Sequence, residues 1–164
     1  MNTLEKQNIV TTPVMTPTQL LEHWQGHRSL TRRVIESFPE DQMFTYEIGG
    51  MRTVAELVKE LLGIAVPGLK EMVTGNVSAF EEDFPVSSKA ELLARWDQAT
   101  EELNQLFPQI EPERFQENIV LFGQYEGTII SSILYFIDNE IHHRGQAYVY
   151  LRSLSIEPPA FYER

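Results

Sequence analysis

The chain has 164 residues, of which 42% are hydrophobic and 23% charged, and these values fit one globular domain and exclude a disordered chain. Its formal net charge of -11 at pH 7 disfavours nucleic acid and anionic membranes as partners, because binding to phosphates needs clustered lysine and arginine. The absence of cysteine excludes disulfides, thiolate metal sites and cysteine nucleophiles.

The sequence carries no recognisable targeting or membrane-spanning pattern. Its first residues, MNTLEKQNIVTTP, lack the apolar core of a signal peptide. The most apolar run, residues 128–137, is too short to span a membrane and is followed by polar residues. We therefore expect a cytoplasmic protein.

The first long helix is predicted to begin after Thr16. Thr16 is a good N-cap, Pro17 suits the first helical position, and Gln19 completes a capping box. Pro39 is expected to end the helix, and residues 1–15 to form an N-terminal tail. Apolar side chains recur between these points at helical spacing, at Leu20, Trp24, Val34, Ile35 and Phe38.

A second helix is predicted to begin after Thr53, where Glu56 completes another capping box. Pro67 lies inside its apolar pattern and predicts a kink, because proline lacks a backbone donor and crowds the preceding turn. Gly75 is expected to end the helix, since glycine readily takes the left-handed conformation found after a last turn.

The following segment, residues 76–86, is predicted to be a loop that is solvated at its acidic run, residues 81–83. Ser88 and Glu91 indicate the start of a third helix, which Pro108 is expected to close. Residues 113–127 then favour an extended or irregular packed segment.

The last helix is predicted over residues 128–154, and Pro158 and Pro159 end the regular structure. Four long helical patterns without a convincing pair of strands predict an all-α fold. The expected architecture is a four-helix bundle that forms a single domain over residues 16–164.

Four histidines are candidates for chemistry: His23, His27, His142 and His143. Adjacent helical residues point about 100° apart, so one ion cannot readily take both His142 and His143. A helix offers two ligands most readily at a spacing of four. That spacing pairs His143 with Asn139, and His142 with Asp138. Both pairs put metal-competent atoms on the same turn, and the spacing does not choose between them.

The polar run of the last helix resembles a known family signature. The residues IDNEIHHRGQ at 137–146, followed by YVYLR at 148–152, resemble the signature of the DinB superfamily, whose members are also described as DinB/YfiT-like metalloenzymes. MRTVAEL at 51–57 is similar to the start of the family's second helix, with Gly63 after it. Pro158-Pro159 is similar to the usual end, so the resemblance extends over most of the chain.

This resemblance implies a metal site. Family members typically hold a divalent metal, often nickel or zinc, with one histidine from the second helix and two from the last. The matching positions here are Glu60, Asn139 and His143, so one of the three histidines is retained. The implied ligand set is harder than the usual one, which shifts preference from nickel or zinc towards manganese, iron or magnesium.

The resemblance also implies a reaction class. Some family members resemble thiol transferases, in which the metal lowers the pKa of a low-molecular-weight thiol so that the thiolate forms near neutral pH. A divalent-metal-dependent transferase or hydrolase is therefore one expectation. The alternative is a non-catalytic relative with a decayed metal site that binds a small molecule or acts as a dimeric structural module. A homodimer is expected in either case.

Each candidate residue has a simpler role as well. Glu60 can form a salt bridge between helices with His143 or Arg144, and His143 can be a buried, hydrogen-bonded histidine. His27 faces inward and can replace the ligand that Asn139 supplies poorly, or can hydrogen-bond in the core. Other expectations are that His23 faces solvent, that His142 or Asp138 lies beside the ligands, and that Gly145 admits another helix, within the chain or from a second subunit.

Overall fold

The computed structural model describes residues 13–80 and 84–164 and is mostly helical. Most of the predicted N-terminal tail and the acidic run at 81–83 lie outside the described residues. The helices are α1 (Pro17–Ser37), α2 (Glu40–Met43), α3 (Val54–Thr74), α4 (Lys89–Leu106) and α5 (Ile129–Ser153), with 3-10 turns at Phe107–Gln109 and Pro112–Gln116. Two strands, β1 (Asn118–Leu121) and β2 (Tyr125–Thr128), lie between α4 and α5.

The predicted helix starts are confirmed, because each is set by side chains within one turn. Thr16 accepts a hydrogen bond from the backbone of Gln19, whose side chain accepts one from the Thr16 backbone. Thr53 and Glu56 form the same reciprocal pair at the start of α3. Ser88 caps α4. These contacts satisfy backbone N–H groups that have no partner inside the helix.

The helix ends also follow local chemistry. Gly75 ends α3 with a φ of 72°, a conformation that costs glycine little. Pro67 does not end α3, which continues through it from Val54 to Thr74, and the kink predicted there stays a prediction.

The expectation that the chain has no paired strands was wrong. In the ambiguous segment 113–127 and the residue after it, β1 and β2 form an antiparallel hairpin in which Asn118 pairs with Thr128 and Leu121 with Tyr125. Its turn places Phe122 at φ 54° and Gly123 at φ 68°. The usual sequence signal for such a turn is Asn-Gly or Asp-Gly, which this segment lacks.

A buried carboxylate explains why the turn forms with phenylalanine in it. Glu71 on α3 accepts the Phe122 N–H at 3.1 Å and the Ser78 N–H at 2.9 Å. Both Glu71 and Phe122 are buried. The hairpin is therefore attached to α3 by contacts that no local pattern encodes.

The four long helices bury two apolar clusters separated by a polar layer. α1 and α3 each pack against both α4 and α5. One cluster contains Trp24, Leu69 and Phe136, and the other contains Val34, Trp96 and Tyr150. The polar layer lies between them along α1 and α5, and consists of the buried residues His27, Arg28, Thr31, Asn139, Glu140, His143 and Arg144. No helix among the described residues is long and apolar enough to cross a membrane.

Candidate functional site

Glu60, Asn139 and His143, the three predicted metal ligands, come together in the structure. Asn139 and His143 lie one turn apart on α5, are 9% and 6% exposed, and face α3. Asn139 Nδ2 donates to Glu60 Oε1 at 3.1 Å. His143 Nε2 lies 3.0 Å from the same oxygen. The side chains thus converge on one carboxylate oxygen.

The orientation of the His143 ring is set by its other nitrogen. Nδ1 lies 2.7 Å from Gln146 Oε1, and the Gln146 amide is oriented by donating from Nε2 to Met51 Sδ at 3.8 Å. An amide oxygen only accepts, so Nδ1 carries the hydrogen. In the neutral ring, Nε2 then carries a lone pair and no hydrogen.

The contact between His143 and Glu60 is close but not aligned as a hydrogen bond. Nε2 is buried and has no hydrogen-bond partner with acceptable geometry among the described residues, although Glu60 Oε1 is only 3.0 Å away. A neutral Nε2 and a carboxylate oxygen both carry lone pairs. Their proximity therefore requires a positive charge, either a proton on Nε2 or a cation held by both atoms.

Glu60 is ionised across the physiological range. Burial raises the pKa of Glu60, but the hydrogen bonds from Arg52 and Asn139 and the close contact with His143 together outweigh burial and bring the pKa to about 2. Arg52 Nη2 contacts Oε2, the oxygen that faces away from Asn139 and His143. One carboxylate oxygen is thus occupied by a guanidinium, and the other faces the imidazole and the amide.

The donor chemistry of this site fits a divalent ion. Two ligand atoms about 2.1 Å from one ion and at right angles lie about 3.0 Å apart, which is the separation of His143 Nε2 from Glu60 Oε1. Rotation of the Asn139 amide would present its oxygen in place of its nitrogen. No group of three His, Cys, Asp or Glu side chains within the described ranges can hold a metal, so a third protein ligand here would have to be this amide.

A cleft of about 450 Å³ adjoins Glu60 and extends under the hairpin. Aromatic side chains dominate its lining, namely Phe80, Phe122, Tyr125, Tyr135 and Phe136. Its polar lining comprises Glu60, Glu126, Ser131 and Ser132. This volume accommodates a small organic molecule, with one end against the Glu60 carboxylate.

The remaining polar layer forms a separate charged group around Glu140. Thr31 Oγ1 donates to Glu140 Oε1 at 2.6 Å, and Arg28 and Arg144 each lie 3.8 Å from its carboxylate. Burial raises the pKa of Glu140, and the two arginines and Thr31 oppose that shift. Arg144 therefore pairs with Glu140, not with Glu60.

His27 belongs to the Glu140 group and not to the Glu60 site. Its Nδ1 lies 2.9 Å from Arg144 Nη2, and its Nε2 lies 2.9 Å from Arg164 Nη1. Two guanidinium donors thus contact the nitrogens with which His27 would bind a metal. The neighbouring His23 is exposed, as predicted, and lies 3.2 Å from His27 Nε2.

The other candidates on α5 face solvent. Asp138 and His142 are exposed, so the second pair at a spacing of four lies on the outer face of the helix. Gly145 is also exposed, and no atom lies within 4 Å of the Cβ that another residue would add there. A close helix approach at Gly145 is therefore not made within the described parts of this chain.

Comparison with known proteins identifies the family. Residues 7–164 match the DinB family. The chain belongs to the DinB family. The polar run at 137–146 and its partner segment at 51–57 lie inside the matched residues, and the expected family is confirmed.

Relatives with known structures share the DinB fold. The protein named Uncharacterized protein YjoA of Bacillus subtilis strain 168 is 23% identical over 148 residues, covering 89% of this chain and 96% of that protein. The crystal structure of this DinB-like protein matches with a TM-score of 0.73, covering 89% of this chain and 99% of that chain. A DinB-like protein from Bacillus cereus ATCC 10987 matches with a TM-score of 0.73 at 13% identity, covering 88% and 97% of the two chains.

Sequence reasoning missed several residues of the site. The cleft aromatics lie in the predicted loop at 76–86, in the ambiguous segment at 113–127 and on the last helix, and their convergence depends on the hairpin. Arg52 was noted only as part of a helix start. Gln146 had a usable signal: it follows His143 by three residues, which is contact distance on a helix.

Proposed function

We propose that this DinB-family protein holds a divalent metal ion with Glu60, Asn139 and His143 and acts on a small molecule bound in the adjoining cleft. The reaction class is that of a thiol-transferase-like enzyme or a hydrolase. The observation that carries the proposal is the buried His143 Nε2, which has no aligned hydrogen-bond partner among the described residues and lies 3.0 Å from the ionised Glu60 carboxylate.

The surroundings of His143 support a metal ligand in the usual chemical form. Metal-binding histidines commonly donate their second ring N–H to an oxygen acceptor, which fixes the tautomer and the ring orientation. Gln146 Oε1 supplies that acceptor at 2.7 Å. A bound ion would also separate two lone pairs that otherwise repel.

Each residue has a distinct task in this proposal. A bound metal would lower the pKa of a coordinated thiol or water, so that the nucleophile forms near neutral pH. Glu60 supplies negative charge to offset the cation, and Gln146 keeps His143 oriented. The aromatic walls of the cleft exclude water and position the substrate beside Glu60.

We further propose that the four long helices form a four-helix bundle and that the protein is a homodimer. Support for the dimer comes from one stripe of α5, where Leu134, Ile141 and Val149 are 44%, 39% and 55% exposed. Gly145 lies in the same stripe and leaves room for a second helix.

A non-catalytic small-molecule-binding role is the second candidate, and one contact favours it. Arg52 Nη2 contacts Glu60 Oε2, so a permanent positive charge already neutralises part of the carboxylate. A protonated His143 would complete the charge balance without any metal. In that case the cleft still binds a small molecule, but no metal-bound thiol or water is activated beside it.

Metal analysis distinguishes the two candidates. The protein should be purified without a polyhistidine tag, stripped with chelator, incubated separately with manganese, iron, nickel and zinc, and assayed for bound metal by elemental analysis. We expect about one ion per chain, lost in His143→Ala and retained in the control His23→Ala, which changes an exposed histidine outside the site. Absence of stoichiometric metal under all four conditions would exclude the metalloenzyme.

Restoration of the usual ligands provides a second arm of the same test. Glu60→His combined with Asn139→His places three histidines at the family's positions, and softer nitrogen ligands favour nickel and zinc. We expect the double variant to bind nickel or zinc stoichiometrically. Failure of a folded double variant to bind either ion would show that the scaffold does not support this centre.

A further inference from the structure

The cleft beside Glu60 combines an aromatic lining with acidic side chains. Five of its side chains are aromatic, and its two charged side chains, Glu60 and Glu126, are both acidic. Among the described residues, no lysine, arginine or histidine lines it. An anionic ligand would therefore meet repulsion and no compensating partner.

Three of the rings lie at the mouth of the cleft and remain exposed. Phe80, Tyr125 and Tyr135 are 46%, 60% and 59% exposed. Large apolar groups clustered at one opening commonly mark a binding surface. Phe122 and Phe136 are buried deeper, so the rings line the cleft from its mouth to its floor.

From this arrangement we infer that the cleft binds an organic cation, namely a substituted ammonium group on a small apolar body. Ring faces attract cations through their quadrupole, and this attraction increases where the site excludes water. Glu126 at the mouth makes no ion pair within the described ranges and supplies an unpaired negative charge. The acidic balance of the whole chain, with a net charge of -11, adds to the attraction.

The inference narrows the proposed function, because it specifies the substrate class for the same cleft. It does not depend on the metal. Glu60 is already paired with Arg52 and lies close to His143, so selection of a cation is assigned to Glu126 and the aromatic rings. Cation binding in the cleft can therefore hold even if metal binding fails.

Three probes of similar size and different charge test the inference: benzyltrimethylammonium, its uncharged isostere neopentylbenzene, and phenylmethanesulfonate. Binding to the metal-free protein is measured by NMR titration. We expect the cation to bind about 10-fold or more tightly than either other probe, as two or three cation–π contacts would provide. Equal binding of the neutral isostere, tighter binding of the sulfonate, or no binding of the cation would overturn the inference.

Variants at the mouth make the test specific. Tyr135→Leu and Glu126→Gln are each expected to weaken cation binding several-fold, and Glu126→Lys is expected to reverse the preference towards the sulfonate. Tyr162→Leu, which changes another exposed tyrosine outside the cleft lining, should leave binding unchanged. Because cation binding is measured on the metal-free protein, a failed metal centre and a failed cation site give different results. If folded Glu126→Lys still bound the cation more tightly than the sulfonate, Glu126 would not be the residue that selects the cation.

Discussion

His27 and His143 are both buried in the polar layer, yet their neighbours give them opposite chemical character. His27 lies against the guanidinium groups of Arg144 and Arg164, which favour an unprotonated ring. His143 lies against the Glu60 carboxylate, 3.0 Å from its Oε1. The same residue type is thus kept neutral in one group and paired with an anion in the other.

The residue-scale prediction is a loss of stability in mild acid caused by His27. Burial and the charges of Arg144, Arg164 and His23 lower the pKa of His27 from 6.5 to about 4. Between these values the unfolded chain binds a proton that the folded chain does not. The free energy of unfolding should therefore fall as the pH decreases from 6.5 to 4.

Urea denaturation at several pH values measures this dependence. His27→Gln should flatten the slope between pH 6.5 and 4, while the exposed His23→Gln should keep it. The Glu60 pKa, lowered from 4.5 to about 2, affects stability in a different window, because its contribution is lost only as the pH falls from 4.5 towards 2. If His27→Gln left the pH dependence of the unfolding free energy unchanged, a group other than His27 would be responsible for it.

At the scale of elements, the hairpin and α3 form the walls of the cleft together. Glu71 ties the turn at Phe122 to α3, and the left-handed conformation of a phenylalanine is tolerated because these contacts compensate its cost. Gly68 lets Phe136 pack directly on the α3 backbone, since an added Cβ would lie 2.5 Å from the ring. The helix starts were predictable from neighbouring residues, whereas this hairpin contact was not.

Gly68→Ala tests the close contact between α3 and α5. The Phe136 ring is buried and cannot move freely, so we expect a loss of about 1–3 kcal/mol in unfolding free energy. Gly145→Ala is the matched control, and both variants are made in an Ile141→Arg background so that the proposed dimer does not contribute. Gly145 lies in an exposed helical position with free space in the single chain, and alanine should stabilise that chain by up to about 1 kcal/mol. Unfolding free energies are measured by urea denaturation. Similar changes in both variants would show that the Phe136 ring moves to make room for the added methyl group.

For the whole molecule, the polar layer divides the core into two apolar clusters and places both charged groups at mid-height of the helices. The two groups lie on different sides of α5, with Asn139 and His143 towards α3 and Glu140 and Arg144 towards α1. The outer face of α5 carries the exposed apolar side chains Leu134, Ile141 and Val149, with Asp138 and His142 beside them. The proposed dimer would bury these three apolar side chains.

Light scattering after size exclusion tests the dimer. We expect the mass of two chains for the protein and of one chain for Ile141→Arg, because an unpaired charge at the centre of a helix contact is costly. Val77→Arg, at another exposed valine, should remain dimeric. A monomer at all concentrations would contradict the proposed dimer.

The sequence by itself determined the four long helices, most of their ends and the location of the polar run on α5. These features depend on caps and periodicity within a few residues. Only the tertiary structure decided the hairpin, the cleft and the partners in the polar layer. It brought Asn139 to Glu60 across 79 positions and Arg144 to His27 across 117. The charges that pair in a buried layer depend on how the helices pack, and helical spacing alone does not contain that information.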